Sequence, residues 1–329
     1  MVWGVATSNA VAAFARRLAS VAGTAMILLF FSEFLFVNDT PVRGLLQAAT
    51  QSPRPVLAIA AHLGQLTLVY GIFAYLFLCV LGRFGSRSSA SLVLALAVMG
   101  WSVESLVVPV VYEAPPWSLM WPGLGWHVLV DGLAGWVLMR RVLHRGRPAA
   151  VALYFAALGL VWGLWASWAW IGTTGARLEP REVILTAVLA TPLLVVGAWL
   201  MDRAGAMRFR PSRSEVFMVF GFCALLFGAS GRGHLPLALV LAGLVGLSLL
   251  AMARERARPG ALVPLLRPRV PPPGYLYLLA ALTPAVAGVT YAALSAGGRG
   301  IPTDIIVPLM TLAGAALYLW ALVAALLRA

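Results

Sequence analysis

Runs of about twenty apolar residues recur along this chain, most of them closed by a short stretch carrying arginine, and that repeat leaves few folds open. In hydrocarbon every backbone N–H and C=O must be satisfied within its own segment, so such runs read as membrane-spanning helices. They lie near Leu18–Val37, Val56–Leu81, Ala90–Tyr112, Leu119–Met139 and Ala149–Ile171, then Val183–Met201, Glu215–Ser230, Leu235–Ala253, Gly274–Leu294 and Ile305–Leu327. The pattern predicts an all-α, polytopic integral membrane helix bundle of about ten transmembrane helices, a single transmembrane domain over residues 1–329. Only 11% of the residues are charged, well below the quarter or so found in soluble globular domains. Arg16 and Arg17 precede the first run as in a signal peptide, but the run to Val37 is longer than an h-region and no small-residue cleavage site follows. We read it as the first span. Cys79 and Cys223 both fall in apolar runs, where a thiol behaves as a small hydrophobe.

All 24 basic side chains are arginine, and their positions orient the bundle. With the N-terminus inside, eighteen arginines fall in inner segments and only Arg43, Arg54, Arg177, Arg181, Arg232 and Arg299 in outer ones. That asymmetry predicts cytoplasmic N- and C-termini in a cell (inner) membrane. The longest inner loop, Arg254–Pro273, mixes five arginines with six prolines and reads as a positive-inside loop held extended by proline, the alternative being a contact site for anionic lipid headgroups or a cytoplasmic partner. Its basic residues lack the interleaved aromatics of nucleic-acid binders, so membrane lipids are the expected partners and nucleic acid is not.

The interior polarity is unevenly spread. Residues 1–147, holding helices 1 to 4, carry every carboxylate and imidazole placed well inside a span; residues 148–329, holding helices 5 to 10, read as an apolar scaffold with Asp202, Glu215, His234 and Asp304 at helix ends. His127 and Asp131 stand four residues apart on one helix face within WSLMWPGLGWHVLVDGLAGW. At about 1.5 Å per residue, Glu33, His62, Glu104, His127 and Asp131 all fall in the outer part of their spans. Ionisable groups at such depth are costly and therefore mark a candidate site, the alternative being that they only tie helices together. Above them Tyr112, Trp117, Trp121 and Trp126, with Pro115, Pro116 and Pro122, form an aromatic outer loop that reads as a substrate pocket.

Three functions use such a set. A membrane-embedded metal-dependent enzyme acting on a lipid or lipid-linked substrate would place His62, His127 and Asp131 on a divalent metal such as zinc, with Glu33 and Glu104 as catalytic carboxylates. A proton- or cation-coupled transporter of five plus five helices would use the same groups to exchange protons. The third rests on a resemblance: LLFFSEFLF, around Ser32 and Glu33, is similar to the Ser-Glu stretch of subunit III of haem-copper oxidases, and WHVLVD loosely to a His-and-Asp stretch of that subunit. The resemblance covers about fifteen residues, and the His-to-Asp spacing and the span count depart from the family. It implies a respiratory-chain or assembly component, with haem held by His62 and His127 as a related option. Walker loops, dinucleotide fingerprints and nucleophile elbows are absent from the sequence.

Overall fold

A computed structural model describes residues 2–84, 88–170, 177–204, 209–256, 271–298 and 300–327, with side chains from residue 11 onward. Most of the arginine- and proline-rich loop expected at 254–273 lies outside them, from 257 to 270, as do Arg87, Arg208, Arg299 and Arg328. Among the described residues the chain is helical throughout, without strands. Helix α1 (Val2–Leu29) continues into a π-wound turn, Phe30–Leu35; α2 is Asp39–Thr50, α3 Pro55–Phe84 and α4 Ser89–Leu106. Helix α5 is π-wound over Gly123–Met139 and α-helical over Arg140–Arg145. Then follow α6 (Pro148–Trp165), α7 (Pro180–Ala204), α8 (Arg213–Gly231), α9 (Leu235–Arg256), α10 (Tyr275–Leu278, continued by a 3-10 turn into Leu282–Gly297) and α11 (Thr303–Leu327).

Nine of the described helices are long and apolar enough to cross a membrane, one fewer than the sequence suggests. The exception is the expected span Leu119–Met139. Its start is a single turn, Trp117–Met120, broken before Pro122, and the helix that follows is only 17 residues long before Arg140. A helix so placed need not meet lipid along its whole length, because α1, α4 and α11 pack around it. The sequence also reads residues 38–54 as loop, whereas Asp39–Thr50 forms the amphipathic helix α2, which turns Pro41, Val42, Leu45 and Leu46 inward against α3. The bundle's outside carries large apolar side chains, such as Val56 at 81% and Phe217 at 81% exposed, as a lipid-facing surface requires. Cys79 and Cys223 are free and buried.

Close helix contact rests on small residues, the usual device where lipid tails remove the hydrophobic drive for association. A Cβ on Gly23 of α1 would stand 2.5 Å from the Gly197 carbonyl oxygen of α7, and one on Gly197 would stand 2.8 Å from the Gly23 carbonyl oxygen. Gly159 and Gly163 do the same for α6 against the backbone of α10. Ends that the span alternation assigns to one side do meet: Arg17 pairs with Glu215 at 2.5 Å, His144 with Asp202 at 2.9 Å, and the Tyr112 ring stacks on His234.

Gly197→Leu drives a branched side chain into the α1 backbone. Overpacking of this kind costs about 1–3 kcal/mol, and the detergent-solubilised variant is expected to lose its helical signal at a lower denaturant concentration than the parent. An unchanged midpoint would contradict the close α1–α7 crossing.

Candidate functional site

The site is assembled where two helices abandon regular α geometry. At the end of α1 the Asn38 N–H donates to the Glu33 carbonyl at 2.8 Å, and at the start of α5 the His127 N–H donates to the Pro122 carbonyl at 3.1 Å, both spanning five residues. Wider turns of this type put neighbouring side chains where an α-helix would not, and they recur at functional sites. The first is closed by Val37, whose φ of 61° is an outlier for a β-branched residue. That strain has a visible result. Asn38 is swung back so that its Nδ2 donates to Glu33 Oε2 at 2.7 Å, while the Tyr70 hydroxyl of α3 donates to Glu33 Oε1 at 2.6 Å.

Beneath Glu33 lies His127, 3% exposed, with a carboxylate on each ring nitrogen. Nδ1 is 2.6 Å from Asp131 Oδ2, one turn further along α5, and Nε2 is 2.6 Å from Glu104 Oε1 on α4. Ser32 donates its hydroxyl to Asp131 Oδ2 as well. Asp131 is 0% exposed, and its Oδ1 has no hydrogen-bond partner. The approach of α4 to α5 depends on Gly100: its Cβ position is blocked by the Gly123 carbonyl and lies 3.0 Å from the His127 Cβ. One turn beyond Gly100 comes Glu104. A neutral imidazole has one N–H and cannot donate in both directions, so with both carboxylates ionised the ring is an imidazolium. The cluster therefore stores a proton between two bases.

A cavity of about 340 Å³ opens over this floor, beside the exposed Val107 and Val108. Glu33, Asn38, Tyr70, Glu104 and His127 supply its polar wall; Phe36, Phe73, Trp121 and Trp126 are among its apolar lining. The aromatic groups are fixed by their own contacts. Trp126 packs edge-on to Phe36 with centroids 4.7 Å apart and lies 4.9 Å from Trp165. The indole N–H groups of Trp126 and Trp165 bond the carbonyls of Phe31 and Phe36 at 3.1 Å each, satisfying backbone acceptors around the π-wound turn.

Of the five ionisable groups expected together, Glu33, Glu104 and His127 line the one cavity and Asp131 backs it; His62 does not join them. Helix α2 explains why. It lies over α3 so closely that Gly44 abuts the His62 ring, and the His62 Nε2–H donates to the Pro41 carbonyl at 2.9 Å in a separate shallow groove with Asp39, Arg43 and Gln47. Tyr70, on the same helix as His62 but two turns deeper, takes the place the histidine was expected to fill. Trp121 and Trp126 of the expected pocket line the cavity, whereas Tyr112 is stacked on His234 and Trp117 is 37% exposed at the surface. Sequence reasoning missed Tyr70 and Asn38 as partners of Glu33; a hydroxyl-bearing Tyr70 within an apolar run was the one available signal.

Among the described residues no group of three or more His, Cys, Asp or Glu side chains is arranged to hold one metal ion. The separation of 2.6 Å between His127 Nε2 and Glu104 Oε1 is a hydrogen-bond length, whereas two ligands of a tetrahedral zinc stand roughly 3.3 Å apart. A second buried cluster, which the sequence reading left at helix ends, sits at the far end of α5. His144 Nε2 bonds Asp202 Oδ1 at 2.9 Å with the side chains 5% and 4% exposed, and the Tyr277 hydroxyl donates to Asp202 Oδ2.

His127→Ala leaves two buried carboxylates facing each other without their cation. A loss of roughly 3–5 kcal/mol is expected. Denaturation of wild type and variant side by side checks this; equal midpoints would contradict it.

Compared with protein-family models, curated proteins and solved structures, the chain matches none.

Proposed function

We propose that this multi-pass helical protein is a proton-coupled membrane transporter, with Glu104, His127 and Asp131 as the proton-exchange site and Glu33 as a substrate-facing carboxylate. The observation that carries this reading is a single imidazole hydrogen-bonded through both nitrogens to carboxylates, on the floor of a ligand-sized cavity. Such a group holds its proton only while both acceptors remain. A substrate that engages Glu104 withdraws one of them, so substrate entry weakens the hold on the proton, and proton return expels the substrate.

Transport also requires a closed floor and a further titratable station, and the bundle offers both. Below His127 the ring of Phe31 fills the notch at Gly135 and Leu96 fills that at Gly132, with Phe77 and Trp136 fully buried beside them. The His144–Asp202–Tyr277 cluster lies roughly 20–25 Å from His127 along α5. The arginine asymmetry supports termini in the cytoplasm, hence a cavity that faces outward in a cell membrane. This reading does not need a five-plus-five repeat: α1 packs extensively on α3, while their counterparts α7 and α8 share no extensive face. The metal-dependent enzyme would need His62 beside His127 and Asp131, and its ring is committed to α2 instead.

Proteoliposomes on a solid-supported membrane, stepped from pH 11 to pH 8, test the reading without knowledge of the substrate, because the doubly hydrogen-bonded His127 ring already holds its proton at pH 7. Protons entering a site within the membrane dielectric give a transient current in the wild type, and Asp131→Asn, which keeps the shape and removes the charge, is expected to lose most of it. Equal currents from wild type and a folded D131N protein would refute proton exchange at this cluster.

A further inference from the structure

The cavity has a chemical bias that the proton-exchange reading alone does not require, and we infer that its substrate is an organic cation, such as a small lipophilic ammonium. This inference rests on that reading for the exchange step but on separate observations for the ligand class. The first is charge. Among the described residues Glu33 and Glu104 line the cavity and Asp131 backs it with no arginine in the lining, and the cationic group there, the His127 ring, is already held between Glu104 and Asp131. With its three carboxylates ionised, one imidazolium leaves the site an excess of negative charge in a low-dielectric setting, where an unpaired charge is costly and either a proton or a cationic guest relieves it.

The second observation is the balance of donors and acceptors. The Tyr70 hydroxyl is committed to Glu33, the Trp126 indole N–H to Phe31 and the Ser32 hydroxyl to Asp131, so an anion finds few open donors in the described lining, the Trp121 indole N–H and the second Asn38 amide proton. Acceptors remain. Glu104 bonds His127 through one oxygen, and the two Glu33 oxygens each accept a single bond from the protein, so both cavity-lining carboxylates keep acceptor capacity. The third is the wall itself: Phe36, Tyr70, Phe73, Trp121 and Trp126 supply π faces around these carboxylates, the setting in which ammonium groups are bound. At about 340 Å³ the space suits an organic molecule far better than a bare metal cation, whose ligands would have to close to about 2–2.6 Å.

The exchange balances in charge. One organic cation enters against the Glu33 and Glu104 oxygens, one proton leaves the Glu104–His127–Asp131 cluster for the outer solution, and the net charge of the site is unchanged. No bond of the substrate is made or broken.

The test is isothermal titration of the full-length protein in detergent with benzyltrimethylammonium, beside benzyl alcohol as neutral control and benzenesulfonate as anionic control, in two buffers of different ionisation enthalpy. The ammonium is expected to bind with release of about one proton per site at pH 7, and the two controls at least tenfold more weakly. Glu33→Gln is expected to weaken the ammonium roughly tenfold or more; Trp121→Ala, which leaves every hydrogen bond of the cluster in place, should weaken it severalfold and serves if E33Q does not fold. Equal affinity for the three compounds, or no ammonium binding by folded protein, overturns the cation assignment. Ammonium binding without proton release keeps the assignment and overturns its coupling to protons, which the pH-step current judges independently.

Discussion

An imidazole clamped between two carboxylates inside a helix bundle is the interaction on which the rest of this structure depends. Each bond is short, at 2.6 Å, and each partner is almost wholly removed from solvent. Three charges in that setting are tolerable only together: a carboxylate without the imidazolium, or the imidazolium without a carboxylate, would be an uncompensated buried ion. The same interdependence that makes the cluster a structural clamp joining α4 to α5 makes it responsive, because any ligand that competes for one carboxylate changes what the ring can hold. Stability and proton exchange are here two aspects of one arrangement.

The backbone is bent to serve it. Regular α geometry at the end of α1 would carry the chain on past Leu35; instead a π-wound turn and the left-handed Val37 bring Ser32 under Asp131 and Asn38 back onto Glu33. Indole N–H groups from Trp126 and Trp165 take up carbonyls around that turn, which is why tryptophans crowd one level of the bundle. On the other side Gly100 removes the side chain that would hold α4 away from α5. Aromatic bulk and glycine are thus complementary devices: one supports an irregular turn, the other admits a close crossing.

Much of this was legible in the sequence, and the failures have physical causes. The period of the apolar runs sets the helical class, and alternation along the chain puts ends such as Arg17 and Glu215 on the same side, where the structure shows them in contact. The four-residue spacing of His127 and Asp131 forecasts their bond, since residues one turn apart on a helix are neighbours. Depth arguments find Glu33 and Glu104 as well. They fail for His62 because depth says nothing about azimuth: the ring faces α2, a short amphipathic helix whose polar composition reads as loop. Tyr70 escaped notice for the converse reason, being a residue type common in apolar runs for packing alone. The break at Pro122, the π winding of α5 and the strain at Val37 are products of tertiary packing, which local propensity does not encode. Alternation likewise gives the shared side of His144 and Asp202 but not their bond, because it does not say which ends on a side are neighbours.

The protonation state of His127 tests the central claim most directly. Solid-state nitrogen NMR on histidine-labelled protein in lipid bilayers distinguishes a ring protonated on both nitrogens from either neutral tautomer, and with only four histidines in the chain the His127 signals are assigned by their loss in His127→Gln. The account predicts that at pH 7 both nitrogens of His127 carry a proton in the wild type, and that in Asp131→Asn one of them becomes a bare acceptor nitrogen. A wild-type ring with one unprotonated nitrogen at pH 7, unaffected by D131N, would contradict it.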